Sequence, residues 1–293
     1  MPSLYIQNLS KTYPNGTKAL DDVSLEIGPG LFGLLGPNGA GKSTLMRTIA
    51  ALQEADSGAI TFDGINVQQE PEALRRRLGY LPQEFGVYPR ITAAQLLDHL
   101  AVLKGIQGKK ARKEWVDYLL QKVNLYEVRN KAVKGFSGGM KQRIGIAQAL
   151  LGDPKLIIVD EPTAGLDPGE RNRFHNLLAG VAEDVVVILS THIVDDVREL
   201  CPRMAIMRQG AMVYEGAPAE ALQKLEGQVW QCWVDRNELD HFRAQHTVIS
   251  EKMVTGRLQV HVLSEQQPGP DFEMVDPNLE DVFFYYTAET ATV

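Results

Sequence analysis

Gly36-Pro37-Asn38-Gly39-Ala40-Gly41-Lys42-Ser43 matches G-x-x-x-x-G-K-[ST] at every position, and the residues on either side give the match its meaning. Before it, Leu31 to Leu35 is a short apolar run of the buried-strand kind. After it, Ser43 to Leu52 sets Leu45, Ile49 and Leu52 on one helical face. Strand, glycine loop and helix in that order make a phosphate cradle. The glycines let successive backbone N–H groups converge on a phosphate chain, and the helix N-terminus, with Thr44 in its first turn, adds partial positive charge. Lys42 can reach the outer phosphates, and Ser43 can offer its hydroxyl to a magnesium ion. A flexible glycine-rich turn is the plain alternative, and the flanking strand and helix argue against it.

The chain that carries this loop has 293 residues, 44% of them hydrophobic and 23% charged. That balance is ordinary for a globular protein and gives room for one large domain and a smaller one. The formal net charge of -7 supplies no general pull toward nucleic acid, so no nucleic-acid partner is expected. Cys201 and Cys232 have neither paired-ligand spacing nor companion histidines, which points away from a disulfide framework or a zinc site and toward a reducing cytosol. Pro2 to Tyr13 mixes polar and charged residues where a signal peptide needs an apolar stretch. No run approaches the roughly 20 apolar residues that cross a bilayer as a helix. Any membrane role must then come through a partner. Arg75 to Arg77 and Lys109 to Lys113 are short basic clusters and read as solvated faces.

Organisation changes along the chain. Leu4 to Leu9, Val23 to Ile27 and Ala59 to Phe62 predict strands, the last ending at the turn Asp63-Gly64. Thr92 and Gln95 have capping-box spacing ahead of an apolar stripe at Leu96, Leu97, Leu100 and Leu103. A second helix is expected over Lys110 to Val123 with Trp115, Leu119 and Val123 on one face, and this helical insert ends near Gly135. Helices over Gly138 to Leu151 and Glu170 to Val181 alternate with strands at Leu156 to Val159 and Val185 to Leu189, a pattern that implies parallel pairing in a three-layer core. Arg203 to Arg208 and Ala211 to Glu215 close it around the turn Gln209-Gly210. Beyond Gly216 a small β-α-β-β unit is expected: Gln228 to Val234, a helix over Asn237 to Ala244, then Val248 to Val254 and Arg257 to Leu263 across Thr255-Gly256. A linker, Gln266 to Asp271, leads to a last aromatic helix with Pro277 in its first turn. Trp230, Trp233, Phe283, Phe284, Tyr285 and Tyr286 read as a small core.

A phosphate loop needs an acid at the end of a buried strand to hold its metal, and Leu156-Ile157-Ile158-Val159-Asp160-Glu161 supplies two. Asp160 is placed to take magnesium, directly or through water. Glu161, facing the other way at the strand's end, can polarise an attacking water.

Between the insert and that strand lies Phe136-Ser137-Gly138-Gly139-Met140-Lys141-Gln142-Arg143, which resembles the signature sequence of ATP-binding cassette (ABC) ATPases. Read by itself, Ser137 is a helix N-cap followed by two small residues, and the amides of Gly138 and Gly139 make a second anion-binding end. The resemblance implies that this end closes on nucleotide held by an opposite subunit. It extends over Leu4 to about Glu215. Tyr13 falls where the family stacks an aromatic on adenine; Gln83, in Tyr80-Leu81-Pro82-Gln83, resembles the glutamine that touches magnesium and the attacking water. Asp167, in Ala164-Gly165-Leu166-Asp167, resembles the aspartate of the dimer seam and is also a good helix cap before Pro168. His192, in Ser190-Thr191-His192, resembles the histidine that contacts the γ-phosphate. Met140, where the common signature has glutamine, and Asp276-Pro277-Asn278-Leu279-Glu280-Asp281-Val282-Phe283 are similar to the branch that pairs with separate export-type permeases.

The resemblance implies an α/β fold: a P-loop NTPase core of ABC ATPase type with an antiparallel β subdomain and a helical insert at about 84–152. The core domain then spans 1–218, and a small α+β accessory domain of unread chemistry, reinforcing a dimer or regulating it, spans 219–293. It implies an ATPase that binds ATP and Mg2+, dimerises with itself or with a related ATPase around two ATP, and drives a separate transmembrane permease from the cytoplasmic face, for export. The alternatives are an ABC ATPase without a permease, serving translation or DNA repair, and a scaffold whose ATPase has decayed. The first usually carries two cassettes or long coiled coils, absent from this sequence. Every catalytic side chain of the family is present, which argues against the second.

Overall fold

A computed structural model of the protein describes residues 1–83, 86, 90–163 and 166–288. The chain runs through β1 (Leu4–Thr12), β2 (Lys18–Ile27), β3 (Gly30–Leu35), α1 (Lys42–Ile49), β4 (Ser57–Phe62), β5 (Ile65–Asn66), α2 (Pro71–Arg77) and β6 (Leu78–Leu81). Three helices follow, α3 (Ala93–Leu103), α4 (Lys109–Lys122) and α5 (Gly138–Ala149). Strand and helix then alternate as β7 (Leu156–Asp160), α6 (Pro168–Ala179), β8 (Val186–Thr191), α7 (Val194–Leu200), β9 (Arg203–Arg208) and β10 (Ala211–Gly216). The chain closes with α8 (Pro218–Gln223), β11 (Val229–Val234), α9 (Leu239–Gln245), β12 (Thr247–Val254), β13 (Arg257–Leu263), β14 (Glu273–Met274) and α10 (Leu279–Thr287).

The middle layer is a six-stranded sheet in the order β10-β9-β3-β8-β7-β6, parallel except for β10 at one edge. Every residue of β7 and β8 is buried, which is why these strands read as unbroken apolar runs and not as alternating ones. Leu156, Ile158, Val186 and Ile188 face α1 and a second, antiparallel sheet of order β2-β1-β4-β5. Ile157, Val159, Val187 and Leu189 face the opposite way, into a core shared with α5, α6, α7 and the helical insert. The strand ends that carry Asp160, Thr191 and the phosphate loop are thus fixed from both sides.

Local rules account for several boundaries. Thr92 Oγ1 accepts from Gln95 N–H at 3.2 Å, and Gln95 Oε1 from Thr92 N–H at 3.0 Å, the reciprocal cap that the spacing predicts. Thr255 (φ 48°) and Gly256 (φ 86°) make the tight hairpin turn between β12 and β13. Other expectations need correction. Leu52 is 58% exposed, because α1 stops at Ile49 and Ala51 turns the chain away with φ 53°. Leu103 is exposed at the last turn of α3. Pro277 lies outside the final helix, whose cap is Asn278. The short elements α2, β6, α7, α8 and β14 were not marked by any periodicity.

The C-terminal sheet is antiparallel, in the order β12-β13-β11-β14, and packs Trp230, Cys232, Leu258, Val260, Val262 and Phe272 into a small core. Its aromatics do not form that core together: Trp233 and Phe284 are exposed, while Phe283 and Tyr286 join Val229, Ile249 and Val282 in the same apolar cluster as α7 and β9. Packing therefore continues across the division expected at 218. Among the described residues no helix is long and apolar enough to cross a membrane.

Candidate active site

The phosphate loop leaves β3 and enters α1 through Gly41, whose φ of 105° suits glycine alone. A Cβ there would lie 2.3 Å from the Ala19 carbonyl oxygen, so the loop is also too close to β2 for any side chain. From the other side, Gly210 N–H donates to the Ala40 carbonyl at 3.0 Å, bracing the loop on the turn between β9 and β10. No side chain caps α1 and its first turn holds no acid. Its first N–H groups remain available to an anion.

One cleft of about 290 Å³ gathers Tyr13, Thr17, Ala19, Asn38 to Thr44, Gln83 and Glu161. Sequence-distant expectations, Tyr13, the loop, Gln83 and Glu161, therefore share one space. Tyr13 leans on the start of α1 with its hydroxyl 3.2 Å from Thr44 Oγ1 and 3.3 Å from Gln53 Oε1. Lys42 is buried; its ammonium donates to the Gly36 carbonyl at 2.7 Å and the Pro37 carbonyl at 3.2 Å and stands 3.7 Å from Glu161 Oε1. Burial pulls the Lys42 pKa below the ordinary lysine value, and the carboxylates of Glu161 and Asp160 oppose that shift.

Glu161 follows β7 with a left-handed φ of 50°, its N–H donating to the Ser190 carbonyl at 2.8 Å. Such a backbone costs on the order of 1 kcal/mol and gathers at functional positions. The turn leaves Oε1 toward Lys42 and Oε2 2.6 Å from His192 Nδ1, so the carboxylate lies between an ammonium and an imidazole. Asp160 is buried, and among the described residues its Oδ1 has no hydrogen-bond partner. A buried carboxylate oxygen without a donor fits a hard cation that takes oxygen ligands. No three of His, Cys, Asp and Glu converge on a metal-sized space among the described residues. Magnesium held through nucleotide phosphates needs only one or two protein carboxylates.

Ser137, Gly138, Gly139 and Asp167 do not line this cleft. Ser137 caps α5, accepting from Met140 N–H at 3.2 Å, and is exposed with Gly138; Gly139 is pressed on Glu170, whose carboxylate oxygen would lie 2.6 Å from a Cβ at that position. Asp167 caps α6, accepting from Glu170 N–H at 2.9 Å, with Pro168 in the first turn. Ala164 and Gly165 of that motif, and Glu84 at the expected start of the insert, lie outside the described residues. Sequence reading missed a buried cluster behind the cleft: Thr163, Arg171, His175 and Asp196. Arg171 and His175 share α6 at i, i+4, but no spacing in the sequence joins them to Thr163 or to Asp196 of α7.

Against known proteins, a family described as ABC transporter matches residues 20–164. The chain is 34% identical over 301 residues to the Nod factor export ATP-binding protein I of Rhizobium etli, which covers 98% of this chain and 94% of that relative. The daunorubicin/doxorubicin resistance ATP-binding protein DrrA of Streptomyces peucetius is 32% identical over 262 residues, covering 89% and 77%. The methionine import ATP-binding protein MetN of Helicobacter hepaticus is 38% identical over 224 residues but covers only 73% of this chain and 63% of itself. Among solved structures, the dimeric post-hydrolysis state of the ATP-binding cassette MJ0796 bound to ADP and Pi aligns with a TM-score of 0.68 and 28% identity, over 73% of this chain and 98% of that one.

Proposed function

The chain belongs to the ABC transporter ATP-binding family, and from that membership we propose how its residues act as the ATP-binding and ATP-hydrolysing subunit of a transporter. The observation that carries the reading is the single cleft in which Tyr13, the phosphate loop, Gln83 and Glu161 meet, with His192 on the Glu161 carboxylate. Tyr13 offers a flat face for the adenine, which suits stacking with little base selectivity. The amides from Gly39 to Thr44 receive the phosphate chain, and a triphosphate gives Lys42 a stronger acceptor than the two carbonyls it holds. Ser43, Asp160 and Gln83 would hold Mg2+, which when bound neutralises charge on the β- and γ-phosphate oxygens. Glu161 takes the proton of the attacking water, and His192 fixes the Glu161 carboxylate while reaching toward the γ-phosphate.

Ser137 and Gly138 present their amides outward at the start of α5, an arrangement suited to the γ-phosphate of ATP bound by a second subunit, with Asp167 at the seam. ATP is then the adhesive of a homodimer, or of a heterodimer with a related ATPase, and hydrolysis loosens it. A separate transmembrane permease holds the subunit to the cytoplasmic face and receives the movement through the helical insert.

The two relatives that align over most of the chain, covering 98% and 89% of it, are export and resistance proteins by name. Export is the direction that fits these relatives. Phosphate release from the purified protein with MgATP, set beside Glu161→Gln, tests the assignment. The variant should bind ATP normally and lose turnover; unchanged turnover would remove Glu161 as the base.

A further inference from the structure

Behind the cleft, a single carboxylate ties together the two loops that carry the hydrolytic residues. Asp196, in α7, has no exposed surface. Its Oδ1 accepts from Arg171 Nε at 2.7 Å and lies 2.8 Å from His175 Nε2. Its Oδ2 accepts from the Thr163 hydroxyl and, at 3.4 Å, from the Thr191 hydroxyl. Thr163 stands two residues after Glu161, and Thr191 immediately precedes His192. Thr191 Oγ1 also accepts from Ile193 N–H at 2.9 Å, which fixes the loop on the far side of His192.

A carboxylate taken out of water costs several kcal/mol unless every lone pair is used, and a buried ion pair is weak support for stability even when it is satisfied. What distinguishes this one is the address of its partners: α6, the chain after β7 and the end of β8 each send a donor to the same two oxygens. None of these donors lines the nucleotide cleft. We propose that Asp196 is a positioning residue for ATP hydrolysis, holding Glu161 and His192 in register through Thr163 and Thr191 without touching nucleotide. The proposal rests on the roles assigned to Glu161 and His192. Displacing a reacting group by about 1 Å can cost about 100-fold in rate, so a small loosening is enough to matter.

Asp196→Asn keeps the shape and removes one acceptor and the charge. It should lower kcat by about 10- to 100-fold while KM for ATP and ATP-driven dimerisation, the latter measured in a Glu161→Gln background, stay within about twofold. In single-turnover assays Asp196→Asn should cost much less in a Glu161→Gln background than in the parent, since only its effect through His192 then remains. Thr163→Val should show the same kcat loss on a smaller scale, and Thr163→Ser should restore it; this pair carries the test if Asp196→Asn does not fold. An unchanged kcat, or a loss that multiplies fully with that of Glu161→Gln and comes with a raised KM, overturns the proposal. If Glu161→Gln itself hydrolyses ATP at the parent rate, the reading of the site fails first.

Discussion

Asp196 and Asp281 are both fully buried, and each lies 2.8 Å from a histidine nitrogen, Nε2 of His175 for one and Nδ1 of His261 for the other. Each also accepts from a hydroxyl, Thr163 and Ser250 respectively. The remaining partners differ. Asp196 has the guanidinium of Arg171 and donors beside Glu161 and His192, whereas Asp281 accepts from the Asn278 N–H at 3.0 Å as one half of the capping box of α10. Ser250 and His261 belong to β12 and β13, so Asp281 fastens that helix to the C-terminal sheet. The same chemistry thus serves the proposed registration of Glu161 and His192 in one place and docking of a helix in the other. The loss of each should be visible in a different measurement.

The largest effect should come from Glu161→Gln, which removes the proposed base beside the Asp196 cluster. Phosphate release should fall by roughly 10²- to 10⁴-fold with ATP affinity retained. Next, Asp281→Ala removes its half of the α10 capping box, with Asn278 still capping the helix, and leaves Ser250 and His261 without their acceptor, for a cost of about 3 kcal/mol. Hydrogen exchange should show α10 deprotected while MgATP turnover changes by less than about threefold. A fall in kcat comparable to that of Asp196→Asn would erase the distinction between the two clusters. Tyr13→Ala sits outside both and calibrates them: it should weaken ATP binding by about 1–3 kcal/mol, moving KM and leaving kcat nearly constant.

The smallest effect uses the two thiols as local reporters. Burial, with the nearby Asp196 charge, pushes the Cys201 thiol up to about 12, and burial with Asp271 pushes Cys232 to about 11. At pH 8 only roughly one thiol in 10⁴ and one in 10³ is ionised, so neither should react with iodoacetamide in the native protein. Asp196→Asn should raise labelling of Cys201 selectively, whereas Cys232, on the opposite face of the C-terminal sheet from His261, should stay unlabelled in both variants. Equal labelling of both in either variant would mean that the two clusters open together.

The phosphate loop, the Ser137 and Asp167 caps, the acid-ended strand β7 and the turns at Gln209-Gly210 and Thr255-Gly256 were legible because each is decided within a few residues: a glycine φ, a side-chain oxygen three residues from an amide, an unbroken apolar run. The Asp196 cluster was not, since Thr163, Arg171, His175 and Asp196 meet only after β7, α6 and α7 have packed. Helix ends were legible only in part. Leu52 fits the period of α1, yet the helix has already ended before it. Trp233 and Phe284 look like core residues by type, but Trp233 on β11 and Phe284 on α10 are both exposed. Arg75 to Arg77 read as a solvated cluster; Arg75 and Arg77 also tie α2 to neighbours, through the Ala51 carbonyl and Asp63.

Phe283, Tyr286, Val282 and Ile249 share an apolar cluster with α7 and β9, and this has an evolutionary consequence. A lineage could not discard this C-terminal unit in one step, because the shortened product would uncover apolar surface on its ATPase and tend to aggregate. Shedding the unit would first require polar replacements along α7, α8 and β9, each without benefit while the unit is still attached. The appendage is thereby entrenched, retained by the solubility of its host whether or not its own activity is under selection.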